Sequence, residues 1–299
     1  MVWDLGEVWE LIIGEASLPF KTRRTKHMHM IDLLKQTPLG ATGVNVSRLG
    51  LSASYRPGIK AIHLAIDEGI NFFFGYGFDT QLVKGLRTAF KGDREKFMLA
   101  TGAYNLIIGY PNLRRTLEKR LRQFSTEYID TFMFLGVMKE KEFPPKVLEE
   151  LVRFKEEGKV KSIGISCHNR AFLGKLAAEG TLDVLMLRYN AAHRGAERDV
   201  FPYLEAHNTG IVSYTATRWT ELMRRPKNWP KGGLIPDAGM AYRFVLSNPH
   251  VHVCLTAPTN EKQLRENLAA LRRGPLNEEE MHFMRQFGAA VYSNRKWFM

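Results

Sequence analysis

Short apolar runs rich in β-formers alternate along the chain with longer runs whose apolar residues recur at helical spacing. SRLGLSAS at 47–54 predicts a strand, and GIKAIHLAIDEG at 58–69 predicts a helix. The alternation continues with strands at 70–74, 96–102, 129–136, 160–166, 182–189, 210–216 and 250–257. Helices are predicted between and after them at 80–90, 112–124, 145–158, 170–180, 197–208, 238–248 and 261–273, with a last one at 277–290. Continuous apolar strands separated by helices belong to a parallel sheet covered on both faces. Eight such units in about 230 residues predict an α/β fold, a (β/α)8 TIM barrel rather than an open doubly wound sheet.

A barrel tells where to look for chemistry, because functional side chains gather at the C-terminal ends of the strands. Those ends read NFFFGYG, ATGAYN, FLGVM, SCHN, LRYN, SYTATRW and LTAPTN. They are rich in aromatic and polar groups: Tyr76, Asp79, Tyr104, His168, Arg188, Tyr189, Arg218 and Trp219.

The same segments resemble the aldo-keto reductases over about residues 36–275. TPLGATGVNVSRLGL resembles that family's opening β-hairpin and first strand, and AIDEGINFF its second strand. LEELVRFKEEGKVKSIGIS resembles the fourth helix and fifth strand, HRGAERDVFPYLEAHNTGIVSY the run into the seventh strand, and QLRENLAAL the C-terminal cofactor helix. The resemblance implies a barrel with an N-terminal β-hairpin and extra terminal helices. It divides the chain into an N-terminal extension (1–35) and a reductase-like barrel (36–299).

The family's chemistry uses an aspartate, a tyrosine, a lysine and a histidine around a nicotinamide cofactor. Aligned on the motifs, the aspartate position holds Phe74, the lysine position Gly102 and the histidine position Gly136. Tyr76, in a shortened segment, stands nearest the tyrosine position. A free phenol titrates near 10 and is a poor acid at neutral pH without a cation beside it. The usual proton donor is therefore weakened, and three polar groups have given way to apolar or small ones.

Cofactor positions are better matched. Tyr214 corresponds to the aromatic that stacks on the nicotinamide, and Ser166 to the serine that binds its carboxamide. The partner asparagine is Cys167 and the expected glutamine is Met186. Gln263, Glu266 and Asn267 share one helix face and match the adenine-holding helix. Thr259 replaces the arginine that often binds the 2′-phosphate, yet the helix start at Thr259 and Asn260 still offers N–H groups to a phosphate. The cofactor expectation is NADP (NADPH), with NAD also open.

New chemistry in the widened site would draw on Tyr76, His168 and Arg218, the last two being a histidine and an arginine at strand ends. Arg188 and Arg218 are candidate clamps for a carboxylate or phosphate. Either arginine, if near Tyr76, would lower its pKa. Adjacent residues on a strand point opposite ways, which argues against Cys167 and His168 as a nucleophile pair. Three functions stay open: an NAD(P)H-dependent oxidoreductase with a non-standard site, a non-catalytic dinucleotide- or ligand-binding barrel, and an enzyme of another reaction class. The expected substrate is a small molecule, carbonyl-bearing or anionic.

Charge and cysteine usage narrow the setting. Lysine and arginine exceed the acids by 43 to 31, for a net charge of +12, which favours anionic ligands without choosing one. The basic helix NLRRTLEKRLRQF lacks the aromatic interleaving of a nucleic-acid surface and suits an oligomer contact equally well. Two distant cysteines make neither a disulfide framework nor a zinc motif, and indicate a cytoplasmic protein. No apolar run is long enough for a membrane span. Residues 1–30 read as a poor signal peptide, and either as an appended helix with a basic tail or in part as sequence preceding a later start at Met28 or Met30.

Overall fold

A computed structural model describes residues 33–105 and 111–294. The reading of an N-terminal extension falls almost wholly outside these residues. Strands β3 (Leu49–Ser52), β4 (Phe72–Phe74), β5 (Met98–Tyr104), β6 (Ile129–Val137), β7 (Val160–Cys167), β8 (Val184–Arg188), β9 (Gly210–Tyr214) and β10 (Val253–Thr256) close into a parallel barrel, with β10 hydrogen-bonded to β3. Helices α1 (Ile59–Asp67), α2 (Thr80–Phe90), α3 (Leu113–Phe124), α4 (Pro145–Glu156) and α5 (Arg170–Glu179) follow the first five of these strands.

The period-2 alternation of the strands explains both cores. Phe72, Phe74, Met98, Ala100, Met133, Leu135, Val184, Met186, Val212, Val253 and Leu255 form one buried cluster, the filling of the barrel. Their chain neighbours, such as Phe73, Leu99, Phe132, Phe134 and Leu185, pack in the second cluster with the helices. An antiparallel hairpin of β1 (Thr37–Pro38) and β2 (Asn45–Val46) precedes the barrel. Its Leu39 and Val46 join the inner cluster, and the Ala41 N–H donates to Asn208 O at 2.7 Å. Gly40 lies at φ 52, and a Cβ there would fall 2.3 Å from Asn208 O, so the close approach requires glycine.

After β8 the expected helix at 197–208 does not form. A four-residue α6 (Ala196–Asp199) gives way to a 3-10 turn at Phe201–Tyr203, because Pro202 lacks an N–H and interrupts the i→i−4 ladder. Helices α7 (Ala238–Leu246), α8 (Glu261–Leu271) and α9 (Glu278–Ser293) complete the described chain. Each starts on a side-chain cap: Asp237 accepts from Met240 N, Asn260 from Gln263 N, and Asn277 and Glu280 form a reciprocal capping box. Arg243 joins α7 to α9, pairing with Glu280 at 2.7 Å and donating to the carbonyls of Gly274 and Pro275.

Candidate functional site

β4 ends on Phe74, and the loop that follows is fastened on every side. Gly75 N donates to Ala100 O at 2.9 Å, and Thr101 Oγ1 donates to Gly75 O at 2.6 Å. The Asp79 carboxylate accepts from Gly77 N at 2.9 Å and Tyr76 N at 3.3 Å. Arg120 and Gln123, on α3, donate to the carbonyls of Tyr76 and Gly77 at 2.9 and 3.0 Å. Gly77 lies at φ 85, and a Cβ there would meet Arg120 Nη1 at 1.9 Å. Asp79 therefore serves the loop's backbone.

Tyr76 is presented half-buried from this rigid loop. Its ring stacks on Phe78 at 5.3 Å and on Tyr104 at 6.2 Å, and meets Phe74 edge-on at 4.9 Å. Burial pushes its phenol above the usual range, against a hydrogen bond to Ser52, with Asp79 adding to the rise. Neither Arg188 nor Arg218 is among the described groups acting on it, which corrects the expectation of a lowered pKa.

Phe74, Gly102 and Gly136, the positions aligned with the family's aspartate, lysine and histidine, carry no polar side chain. Phe74 is fully buried in the inner cluster. Gly102 sits opposite Met133, and a Cβ added to it would lie 2.0 Å from the Met133 carbonyl oxygen. The backbone there has closed over the place of any side chain. Gly136 adopts φ 80 in a bulge between Phe134 and Val137.

Across the mouth, inward positions of β7, β8 and β9 bring Ser166, Arg188 and Tyr214 together, with His168 just past the end of β7. Tyr214 is the register partner of Arg188, and Ser166 that of Met186. The Tyr214 hydroxyl meets Ser166 and lies 3.3 Å from His168 Nε2. Burial pushes the Tyr214 phenol up to about 12. Burial, helped by Arg188, lowers His168 and keeps its ring neutral. Cys167 points the other way, into the outer core, where burial raises its thiol to about 11.

Arg218 is a correction. Its guanidinium is completely buried, pairs with Glu221 at 2.8 Å and donates to Val291 O on α9 at 3.3 Å. It ties the loop after β9 to the last helix and does not line the mouth. That loop is strained: Thr215, Arg218, Trp219 and Thr220 all have φ between 48° and 72°. Left-handed non-glycine residues carry a conformational cost and cluster at functional sites.

A cavity of about 700 Å³ opens beside this loop. It runs from Ser52, Ser54, Tyr76 and Tyr214 to the starts of α7 and α8, where Gly239, Thr259, Gln263, Glu266 and Asn267 line it. Thr215 Oγ1, on its wall, is buried without a hydrogen-bond partner among the described residues. Of the expected cofactor residues, Tyr214, Thr259, Gln263, Glu266 and Asn267 line the cavity. Gln263 Oε1 accepts from Thr259 N at 2.9 Å, and the buried Asn267 donates to Thr256 Oγ1 at 3.2 Å. Glu266 is exposed beside Lys262 at 3.9 Å. Asn260 caps α8, and Ser166 holds Tyr214, so both act through neighbours. Sequence reasoning did not single out Ser52, Ser54, Thr215 and Thr217 of the lining. The signal for the serines was their place at the end of the first barrel strand.

Comparison with known proteins agrees with this architecture. The model of the aldo/keto reductase family matches residues 49–228. Aldo-keto reductase YhdN of Bacillus subtilis (strain 168) is 24% identical over 207 residues, covering 60% of this chain and 61% of that protein. NAD(P)H-dependent D-xylose reductase I,II of Candida tropicalis is 25% identical over 188 residues, covering 52% of this chain and 57% of that protein. The chain thus spans about three fifths of the length of these curated relatives. The holo structure of aldo-keto reductase AKR11C1 from Bacillus halodurans superposes with a TM-score of 0.70 at 20% identity, covering 85% of this chain and 96% of that one. With a closed eight-stranded barrel, a cavity at the starts of its last helices and a family match over more than half of its length, the chain belongs to the aldo/keto reductase family.

Proposed function

We propose that the protein is an NAD(P)H-dependent oxidoreductase of small carbonyl compounds, working without the usual aspartate, lysine and histidine. The observation that carries this reading is the cavity whose lining reaches from Tyr76 to the start of α8. Its lining suits a dinucleotide. The Tyr214 ring stands at one end, the unpartnered Thr215 hydroxyl lies on the wall, and the helix starts at the other end offer amide and hydroxyl donors. When bound, such a cofactor supplies a hydride to a carbonyl carbon.

This chain's residues then have to position the carbonyl and deliver a proton to its oxygen. Tyr76 Oη holds a proton at the cavity's edge, and Ser52 Oγ stands beside it to return one. With the phenol held above its usual range, proton transfer is slow by the standards of a lysine-assisted tyrosine. His168 acts as a neutral hydrogen-bond partner of Tyr214. Ser166 steadies Tyr214, and Asn260 with Gln263 steadies the start of α8.

Titration with NADPH and NADH, following tryptophan and cofactor emission, tests the reading, and micromolar binding is expected. Turnover of dicarbonyls and quinones should then fall by about ten- to a hundredfold in Tyr76→Phe. Absence of binding at millimolar cofactor overturns the reductase reading. Binding without turnover favours the second reading, a dinucleotide-binding barrel without catalysis, for which the buried Phe74 and the closed Gly102 speak.

A further inference from the structure

Arg188 stands apart from the other strand-end cations. Met186, two residues earlier on β8, belongs to the inner cluster, and strand alternation puts Arg188 on the same inward side. Its register partner is Tyr214, whose ring lines the cavity. Extending the β7–β8 register from Ser166 and Met186 sets His168 beside it on the other flank. Both neighbours are neutral: a phenol pushed up to about 12 and an imidazole lowered by burial. Among the described residues, the half-buried Arg188 side chain makes no hydrogen bond or ion pair, and it acts on Tyr214 and His168 through its charge. Its strand-end counterpart Arg218 shows the contrasting case of an arginine consumed by Glu221 and Val291.

An inward cation left without a counter-ion is costly to keep unless something supplies the anion. The acids of the cavity do not. Asp237 caps α7 through Met240 N, and Glu266 stands beside Lys262 on α8, both at the far end. A guanidinium presents a planar fork that matches a carboxylate or phosphate in two parallel hydrogen bonds. The neutral His168 ring, already next to Tyr214, can donate one more.

We propose that Arg188 is the recognition point for an oxyanion on the substrate, so that the substrate class is a small carbonyl compound carrying a carboxylate or a phosphate group. This rests on the reductase reading of the adjoining cavity, which Arg188 meets through its register partner Tyr214 rather than lining it directly. It gives the site a polarity the aromatic side lacks: Tyr76, stacked on Tyr104, faces the carbon skeleton, and Arg188 holds the charged end.

The test uses the full chain and three probes: phenylglyoxylate, its methyl ester and phenyl phosphate. Each is titrated calorimetrically into wild type, Arg188→Met and Arg188→Lys, with and without saturating NADP+. In wild type, one or both anions should bind at least about tenfold tighter than the ester, as a charge-assisted pair implies. Arg188→Met should bring the ratio to near one while leaving the ester and NADP+ affinities within about twofold. Arg188→Lys should retain part of the preference, since a point charge replaces a fork. Preference for phenylglyoxylate marks a carboxylate substrate and preference for phenyl phosphate a phosphorylated one; either, lost in Arg188→Met, supports the proposal. Equal binding of acids and ester in wild type overturns it, as does a preference that survives in Arg188→Met. Loss of NADP+ affinity by the same factor in Arg188→Met also overturns it, because Arg188 would then serve the cofactor. If NADP+ does not bind at all, the reductase reading fails separately, and the cofactor-free titrations still decide whether Arg188 selects an oxyanion.

Discussion

A glycine at position 102 is easily read as a deletion that mutation could reverse. The backbone says otherwise. The Cβ of any residue there would lie 2.0 Å from the Met133 carbonyl oxygen, a contact that only a shift of β5 against β6 relieves. Gly102→Lys is therefore expected to lower stability by about 1–3 kcal/mol and to leave carbonyl turnover no faster than wild type. Thermal melts and steady-state rates on a dicarbonyl check both. Phe74 carries the same lesson: an aspartate there would be an uncompensated carboxylate among Phe72, Met98 and Ala100. Under the proposed reductase reading, proton delivery falls to groups at the surface of the cavity, Tyr76 and Ser52 first.

At the level of elements, caps and register do most of the positioning, and one junction responds to pH. His252, just before β10, accepts from Ile211 N at 3.0 Å through Nδ1, which requires that nitrogen to be unprotonated. Burial, then Arg48 and His250, lowers its pKa to about 4. The unfolded chain takes up that proton near 6.5. The unfolded state therefore binds more protons between pH 6.5 and about 4, and stability is lost as pH falls through that window. A loss of about 2 kcal/mol from this group is expected between pH 7 and 5. In His252→Asn, which keeps an acceptor that does not titrate, the pH dependence of denaturant midpoints should be flatter over the same range. The helix at 197–208 illustrates a different limit. Its apolar spacing was legible, but Pro202 broke it into α6 and a 3-10 turn.

The whole molecule is closed by its last helix. Arg243 is nearly buried on α7 and reaches Glu280, Gly274 and Pro275 at once. Removing it leaves a partly buried carboxylate and two carbonyls without their donor. Arg243→Met should cost about 3–5 kcal/mol, seen as a lower melting temperature and early proteolytic loss of α9. The same helix receives Arg218 through Val291 O, so loosening α9 also loosens the strained loop that walls the cavity. Cofactor affinity should fall with stability in that variant, though Arg243 is not among the residues lining the cavity.

Much of this was written in the chain. Period-2 and period-3.6 patterns determined eight strands and all but one of the helices that follow them, hence a barrel and its candidate site at the mouth, because local patterning and burial of an apolar face need no long-range information. The motif fragments located Tyr76, Tyr214 and the Gln263–Asn267 face of α8, all of which line the cavity. What the sequence left open was the difference between two arginines with equal claims at strand ends. Only the tertiary structure sent Arg218 beneath α9, into an ion pair with Glu221, and left Arg188 facing inward between His168 and Tyr214. A side chain's partners come from residues distant in the chain, and their distances are set by how strands and helices pack, which no local pattern encodes.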